Sequence, residues 1–424
     1  MKHLKKTIFL LVLLIIGVYL KPIYGFYSHK EKLPMSPWGW LELQGHLPQN
    51  TELYDGRYQS VAAQSLKLLA QHQEEIQVPG ITASIAIDNH RVWTGAIGWA
   101  DIETQQPMTS ATQFRIGSTS KALTSVGLAQ LVKANLITLD TPLEAIYHDL
   151  PNPQWANMTP RQLASHMAGI PHYGENTQLS GLLASIRLDR HFDDVHDAVS
   201  LFKDSDLLFK PGEQFEYSSL GTVLLSDVMQ IRANMPYQQW MQGSVIDPLQ
   251  LTNTATEQNV RDQTAHHLAT FYWHPKATPT SLRVWREVDL SHRLAGGGWI
   301  STSEDLAKLG QSMLQEEFIP AFIRNQFWSP QILNNGQVNP QNYAIGWRKG
   351  QLDLGTEMGL VDYYHHGGVS RGAQCFLVVV PAFQLSLAIN TNVKTNRFHD
   401  FAKITTPIVK LFASQYIQLN QSVN

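Results

Sequence analysis

The chain opens on an apolar block flanked by basic residues. Lys2, Lys5 and Lys6 precede an unbroken apolar run from Ile8 to Leu20, and Lys21 closes it. A basic segment followed by about 13 apolar residues has the pattern of a secretory signal. It falls short of the ~17–25 residues that a spanning helix needs. Ile23-Tyr24-Gly25 makes a poor cleavage site, so residues 1–25 are expected to be an uncleaved signal anchor, with a cleaved signal peptide as the alternative. The basic flank then places the body outside the cytoplasm. The protein is expected to be exported, either anchored in the membrane and facing the periplasm or another extracytoplasmic side, or periplasmic after cleavage. Residues 26–50 hold Pro34 and Pro37 with little periodicity and read as a linker. Trp38 and Trp40 fit either the membrane interface or a contact with the body.

Beyond the linker the period of the pattern changes. From Ser60 to Ile76 apolar residues recur at helical spacing. Two β-rich runs follow, Ile81–Ile87 and Val92–Trp99, joined by Asp88-Asn89-His90, which is a hairpin signal. Residues 118–329 are mostly helical in pattern, with proline breaks and a second hairpin between Leu268 and Leu290. Ala295 to Gly298 reads as a loop, and Ser301 to Asp305 caps a helix from Leu306. Strand character returns at Tyr343–Trp347, Cys375–Val380 and Leu385–Asn390. An amphipathic stretch, Phe401–Phe412, follows. Strands at both ends with helices between predict an α+β fold: an antiparallel sheet flanked by helices, with a mostly helical insertion.

Composition narrows the class. The chain has 424 residues, 43% of them hydrophobic and 16% charged. That is too apolar for a disordered chain. The net charge is −3 and no basic stripe lies beyond the N-terminus, so no nucleic-acid partner is expected. The one cysteine, Cys375, sits in an apolar run and reads as a buried, inert thiol. Seventeen histidines make the charge sensitive to pH near 6.5, shifting it from −3 toward about +14 if all were protonated.

The strongest chemical signal is Gly117-Ser118-Thr119-Ser120-Lys121. A serine hydroxyl needs a base within reach. A lysine three residues later on a helix lies on the same face, and desolvation lets it accept a proton. At a helix start the backbone N–H of the serine is free to meet a developing oxyanion. The second Ser-x-x-Lys, Ser200 to Lys203, lacks the glycine turn and reads as chance. His166 and His172 read as hydrogen-bonded core residues and His266-His267 as a solvated loop. No histidine–carboxylate spacing marks a metal site, and no cofactor is expected.

These blocks resemble the serine β-lactamase-like superfamily of class C β-lactamases, low-molecular-weight penicillin-binding proteins and related esterases. Val78-Pro79-Gly80, the Ser118 block, Leu136 to Pro142, Leu163 to Ile170, Phe209 to Ser219, Ala295 to Gly298, Gly346-Trp347 and His365-His366-Gly367-Gly368 occur in the family's order. Within it the chain is most similar to the mitochondrial β-lactamase-like branch and its bacterial relatives. The resemblance implies a β-lactamase/transpeptidase-like fold over 51–420, with an α/β part at 51–117 plus 330–420 and a helical part at 118–329. It implies that Ser118 is acylated, that Lys121 is its proton partner and that Tyr217 is a shared base whose phenolate nearby cations favour. His365 stands at the first place of the third motif, where class C enzymes carry Lys-Thr-Gly, and its titration should shape activity. Gly368 and Ser118 would form the oxyanion hole. Ser219, His366 and Gly367 would face substrate, with a structural role the plainer reading for His366.

Two departures stand out. The usual Tyr-x-Asn is Tyr217-Ser218-Ser219, and Ser219 is expected to reach its partners through water. His365 also replaces a permanent cation. The expected function is a serine hydrolase acting through an acyl-enzyme on a small-molecule or peptide ester or amide. One alternative is a membrane-associated structural or filament-forming protein with a secondary site, for which an oligomer is expected. Another is a D-alanyl carboxypeptidase or aminopeptidase of cell-wall peptides.

Overall fold

The computed structural model describes residues 2–43, 47–263 and 267–421. His266 therefore lies outside the described residues. At the centre is an antiparallel sheet. Its strands in chain order are β1 (Gln49–Leu53), β2 (Gly80–Ile87), β3 (His90–Asp101), β4 (Arg348–Asp353), β5 (Leu360–Ser370), β6 (Ala373–Val380) and β7 (Leu385–Thr391). Across the sheet the order is β4-β5-β6-β7-β2-β3-β1. Strands from the two ends of the sequence meet where β7 pairs with β2, Leu385 opposite Ile87. The β2-β3 hairpin turns through Asp88 and Asn89, both left-handed at φ 50° and 62°. That conformation matches the twist of the flanking strands and favours Asn and Asp.

Side-chain alternation divides the core. Leu377, Val379 and Ala388 face the helical part. Phe376, Val378, Leu387 and Ile389 face the opposite layer. The helices that matter here are α1 (Lys2–Ser28), α2 (Gln59–Ile76), α3 (Ser120–Lys133), α4 (Ser219–Ala233), α5 (Ser303–Ser312) and α6 (Thr405–Gln421). α2 and α6 cover the second face, through Leu69 and Phe412. α3 is buried on nearly every side, which is why its pattern is apolar all round rather than amphipathic. α5 is capped by the Thr302 side chain, which accepts from the Asp305 N–H.

Several sequence expectations are revised. Tyr343–Trp347 is a buried loop, and the strand begins at Arg348. Gly346 there has φ +72°, and a Cβ on it would lie 2.5 Å from Ser125. The loop plugs against α3 and pairs only through the single Tyr343–Arg348 bridge. The segment 26–50 is partly ordered: Leu41-Glu42 pairs with Ser281-Leu282, and β1 starts at Gln49. The N-terminal helix passes through Lys21 and Pro22 to Ser28. His3–Ser28 spans 26 residues with an 18-residue window of mean hydropathy 2.2. By length and composition that suffices to cross a membrane. At 1.5 Å per residue it reaches about 39 Å, against a hydrocarbon core of about 30 Å. Its far end docks on the body. The Arg187 guanidinium lies 4.0 Å from the Tyr19 ring, and Trp273 Nε1 donates to the His29 carbonyl at 2.9 Å. Trp40 packs 5.7 Å from Trp273, whereas Trp38 is exposed.

Candidate active site

The start of α3 sets the site. Gly117 adopts φ +52°, and a Cβ there would lie 2.7 Å from the Val369 backbone. On Gly368 a Cβ would lie 1.9 Å from the Ile116 carbonyl oxygen. Only two facing glycines let β5 approach the first turn of α3 this closely. Ser118, in that turn, is partly exposed, and Lys121 is buried one turn on.

Lys121 Nζ is within hydrogen-bond distance of three oxygens: Ser118 Oγ at 3.4 Å, Ser219 Oγ at 2.8 Å and the Gly296 carbonyl at 2.6 Å; as a neutral amine it donates to the last two and leaves its lone pair for the Ser118 hydroxyl. Ser219 thus reaches the lysine directly, not through water, because α4 begins at this residue and carries it against α3. Burial pulls the Lys121 ammonium far below the usual lysine range, and the Arg293 and Arg348 charges push the same way. A lysine without a carboxylate partner, facing two arginines, is suited to act as a neutral amine.

Tyr217 borders the same space, its ring 4.8 Å from Lys121 Nζ. Burial drives its phenol above the ordinary range, although a hydrogen bond with Ser118 and the Arg348 charge oppose this. Burial thus works against the phenolate that the nearby cations were expected to favour. His166 and His172 hold the backbone around it. Their Nδ1 atoms accept from Ser218 N at 3.3 Å and Ser219 N at 3.1 Å. Both must be neutral to accept, and burial lowers both.

The two adjacent histidines of β5 separate. His365 pairs with Val378, and His366 with Leu377. The His365 ring stacks on Tyr363 at 4.7 Å and meets Phe376 at 5.3 Å, in the layer away from α3. Burial takes its pKa down to about 3. His365 is not brought together with Ser118 and Lys121, which corrects the expectation that its titration shapes activity. Gly367 shares the His365 face, and a Cβ on it would meet Phe398 at 2.5 Å. His366 faces the site instead. Its Nε2 bonds the Tyr343 hydroxyl at 2.8 Å, and its ring lies 6.4 Å from Tyr217. Those bonds give it the structural character that was the plainer reading.

Arg348 escaped sequence reasoning. It starts β4 beside His365, and its guanidinium lies 5.7 Å from the Tyr217 ring and 5.2 Å from Tyr343. It is a permanent cation at the position where His365 had appeared to remove one. No local signal marks it, since its ring neighbours Tyr217 and Tyr343 come from outside its own strand. Ser200 donates to the Asp197 carbonyl within its own turn and both it and Lys203 are exposed. Cys375 is buried, and its thiol is pushed up to about 12. Among the described residues no cluster of three His, Cys, Asp or Glu side chains is placed to hold a metal.

The fold is the β-lactamase/transpeptidase-like one. A penicillin-binding protein homologue from Pyrococcus abyssi, described as octameric, superposes with a TM-score of 0.65 at 20% identity, over 81% of this chain and 77% of that one. D-amino acid amidase from Ochrobactrum anthropi SV3 gives 0.66 at 19% identity, over 85% and 99%. The chain belongs to the Beta-lactamase family, whose model matches residues 66–406. Serine beta-lactamase-like protein LACTB, mitochondrial, of Mus musculus is 26% identical over 415 residues, covering 78% of this chain and 74% of the relative. Penicillin-binding protein 4* of Bacillus subtilis is 24% identical over 262 residues, covering 59% and 55%.

Proposed function

We propose that the protein is a serine hydrolase that cleaves an ester or amide through an acyl-enzyme on Ser118. The observation that carries this is the bonding of a buried, charge-depressed Lys121 to Ser118, Ser219 and Gly296. Ser118 Oγ attacks the carbonyl carbon while its proton passes to the Lys121 amine. The backbone N–H groups of Ser118 and Gly368 receive the negative charge on the carbonyl oxygen. Tyr217, protonated, hands its proton to the leaving group and regains one from Lys121. Water then adds to the acyl-enzyme by the reverse relay, and Ser118 is released with the acid. The N-terminal helix holds this site at a membrane, with the body on the extracytoplasmic side.

An active-site label tests the nucleophile. A fluorophosphonate should mark the wild type and Ser200→Ala equally and leave Ser118→Ala unmarked. Undiminished marking of Ser118→Ala would overturn the assignment. The similarity to D-amino acid amidase is the reason to test D-amino acid amides beside esters.

A further inference from the structure

We infer that the cavity where the end of α1 meets the body binds a phosphate group, for which a phospholipid headgroup is the source its position favours. The site is independent of what Ser118 does and goes beyond the hydrolase reading. Only the lipid source rests on α1 crossing a membrane.

Along α1 the surroundings change near Lys21. The apolar residues before it, such as Ile15, Val18 and Leu20, are exposed, whereas Ser28 is buried against the body. Past the helix end the His29 ring packs 5.1 Å from Trp273 and 4.2 Å from Trp285. These rings and Phe26 wall a cavity of about 210 Å³, which Lys276, the 394–396 segment and the turn between β5 and β6 complete.

Four cations line this cavity: Lys30, Lys276, Arg371 and Lys394. The Phe26 ring carries two of them, with Lys30 Nζ 4.2 Å and the Arg371 guanidinium carbon 5.7 Å from its centroid. None of the four makes an ion pair among the described residues. One carboxylate lines the cavity, that of Glu31, and it accepts the Lys276 backbone N–H at 2.8 Å. Two donors of the lining residues, Arg371 Nε and Trp285 Nε1, are buried without a partner. Burial, then the charges of Arg371 and Lys276, pull the Lys394 ammonium below the usual lysine range. Lys30 is lowered in the same way, by burial and then by Arg371.

The same fold pairs a cation that is purely structural. Arg115 donates to both carboxylate oxygens of Glu257 at 2.7 Å. Its Nη1 also donates to the Arg371 carbonyl at 2.7 Å, which fixes the turn that presents the Arg371 side chain. Guanidinium, ammonium and indole N–H groups around one cavity match the several oxygens of a phosphate. The height of the cavity indicates whose phosphate. At 1.5 Å per residue, Phe26 stands about 9 Å beyond Leu20 along the helix axis, at the level of the headgroups rather than of the acyl chains. Lysine and arginine are sparse beside the extracytoplasmic end of a spanning helix, so membrane topology does not account for four of them here.

Thermal unfolding of the full chain in a nonionic detergent tests this. The probes are dioctanoyl phosphatidylglycerol, dioctanoylglycerol, which lacks the phosphate, and inorganic phosphate, all at fixed ionic strength. A saturable rise in Tm with phosphatidylglycerol, absent with dioctanoylglycerol, is expected. Half-saturation should move to at least about tenfold higher lipid in Arg371→Met and about fivefold higher in Lys30→Met. Lys67→Met, which removes an exposed lysine of α2 outside the cavity, should leave it in place. Arg371→Met removes an unpaired charge and Lys30 is exposed, so both variants are expected to fold. A rise with inorganic phosphate at lower concentration than with the lipid keeps the phosphate site and makes its ligand a soluble one. No rise with either phosphate, an equal rise with dioctanoylglycerol, or a half-saturation that neither substitution moves, or that Lys67→Met moves as far, overturns the inference.

Discussion

Lys121 Nζ lies 2.8 Å from Ser219 Oγ, closer than its 3.4 Å to Ser118 Oγ. The short serine does the positioning expected of the longer asparagine because α4 begins at Ser219, against α3. Ser219→Ala removes one of three bonds that aim the lysine. A hydrogen bond to a charged or charge-exchanging group contributes about 1.5–3 kcal/mol. Ester turnover by Ser219→Ala is thus expected to drop about 10- to 150-fold, with Ser219→Asn less impaired. Unchanged kcat/KM in Ser219→Ala would show that the bond is idle.

The depressed Lys121 ammonium has a sign that kinetics can read. Activity that needs the neutral amine falls as pH drops through the lysine's pKa. Arg348 lowers that pKa, so Arg348→Met should raise it and move the acidic limb of the kcat/KM profile to higher pH. A limb that stays put or moves lower refutes the electrostatic role.

His365 is neutral throughout pH 5–8, with a pKa near 3. Its replacement by leucine should leave the shape of the pH–activity profile unaltered over that interval. A limb near pH 6.5 that disappears in His365→Leu would restore the catalytic role assigned by the motif.

Gly368 meets the Ile116 carbonyl so closely that a Cβ would sit 1.9 Å from it. Gly368→Ala must push β5 away from α3. Overpacking of this kind costs about 1–3 kcal/mol, so a lower Tm is expected together with loss of fluorophosphonate labelling at Ser118. Full labelling at wild-type rate would mean the strand–helix approach does not serve the reaction.

Acid should destabilise the fold. His166, His172, His292, His365 and His366 are all held below the ordinary histidine value, His172 at about 4. Below about pH 6.5 the unfolded chain takes up protons that the folded chain refuses, so stability falls with falling pH. Each such group contributes at most about 1.4 kcal/mol per pH unit inside its window. Asp305, raised to about 6, opposes them, as do Asp227 and Asp88, also raised by burial, but the histidines outnumber these. The urea midpoint should therefore decrease from pH 7 to pH 5, and a flat midpoint would contradict this.

Local pattern was enough for the elements whose faces are one-sided. The β2-β3 hairpin, β6, β7 and α2 are legible because alternation or helical spacing reports which side is buried. The Ser118 and Tyr217 blocks are legible because their chemistry is contiguous in the chain. Tyr343–Trp347 is not legible as a loop, since an apolar run reports burial but not pairing. The length of α1 is not legible either, because Lys21 and Pro22 end the apolar run without ending the helix.

Sequence by itself determined the α+β plan, the apolar N-terminal segment, the nucleophile candidate and its lysine. It left open which of two neighbouring histidines faces the serine. In a strand that choice turns on a single step of register, since successive side chains point to opposite faces. Only the pairing of β5 with β6 decided it, sending His365 to the Phe376 layer and His366 toward Tyr217. The tertiary structure also brought Arg293 and Arg348 to Lys121 from two separate segments. Each alone is an ordinary arginine. With the burial of Lys121, Arg293 and Arg348 work against its protonation.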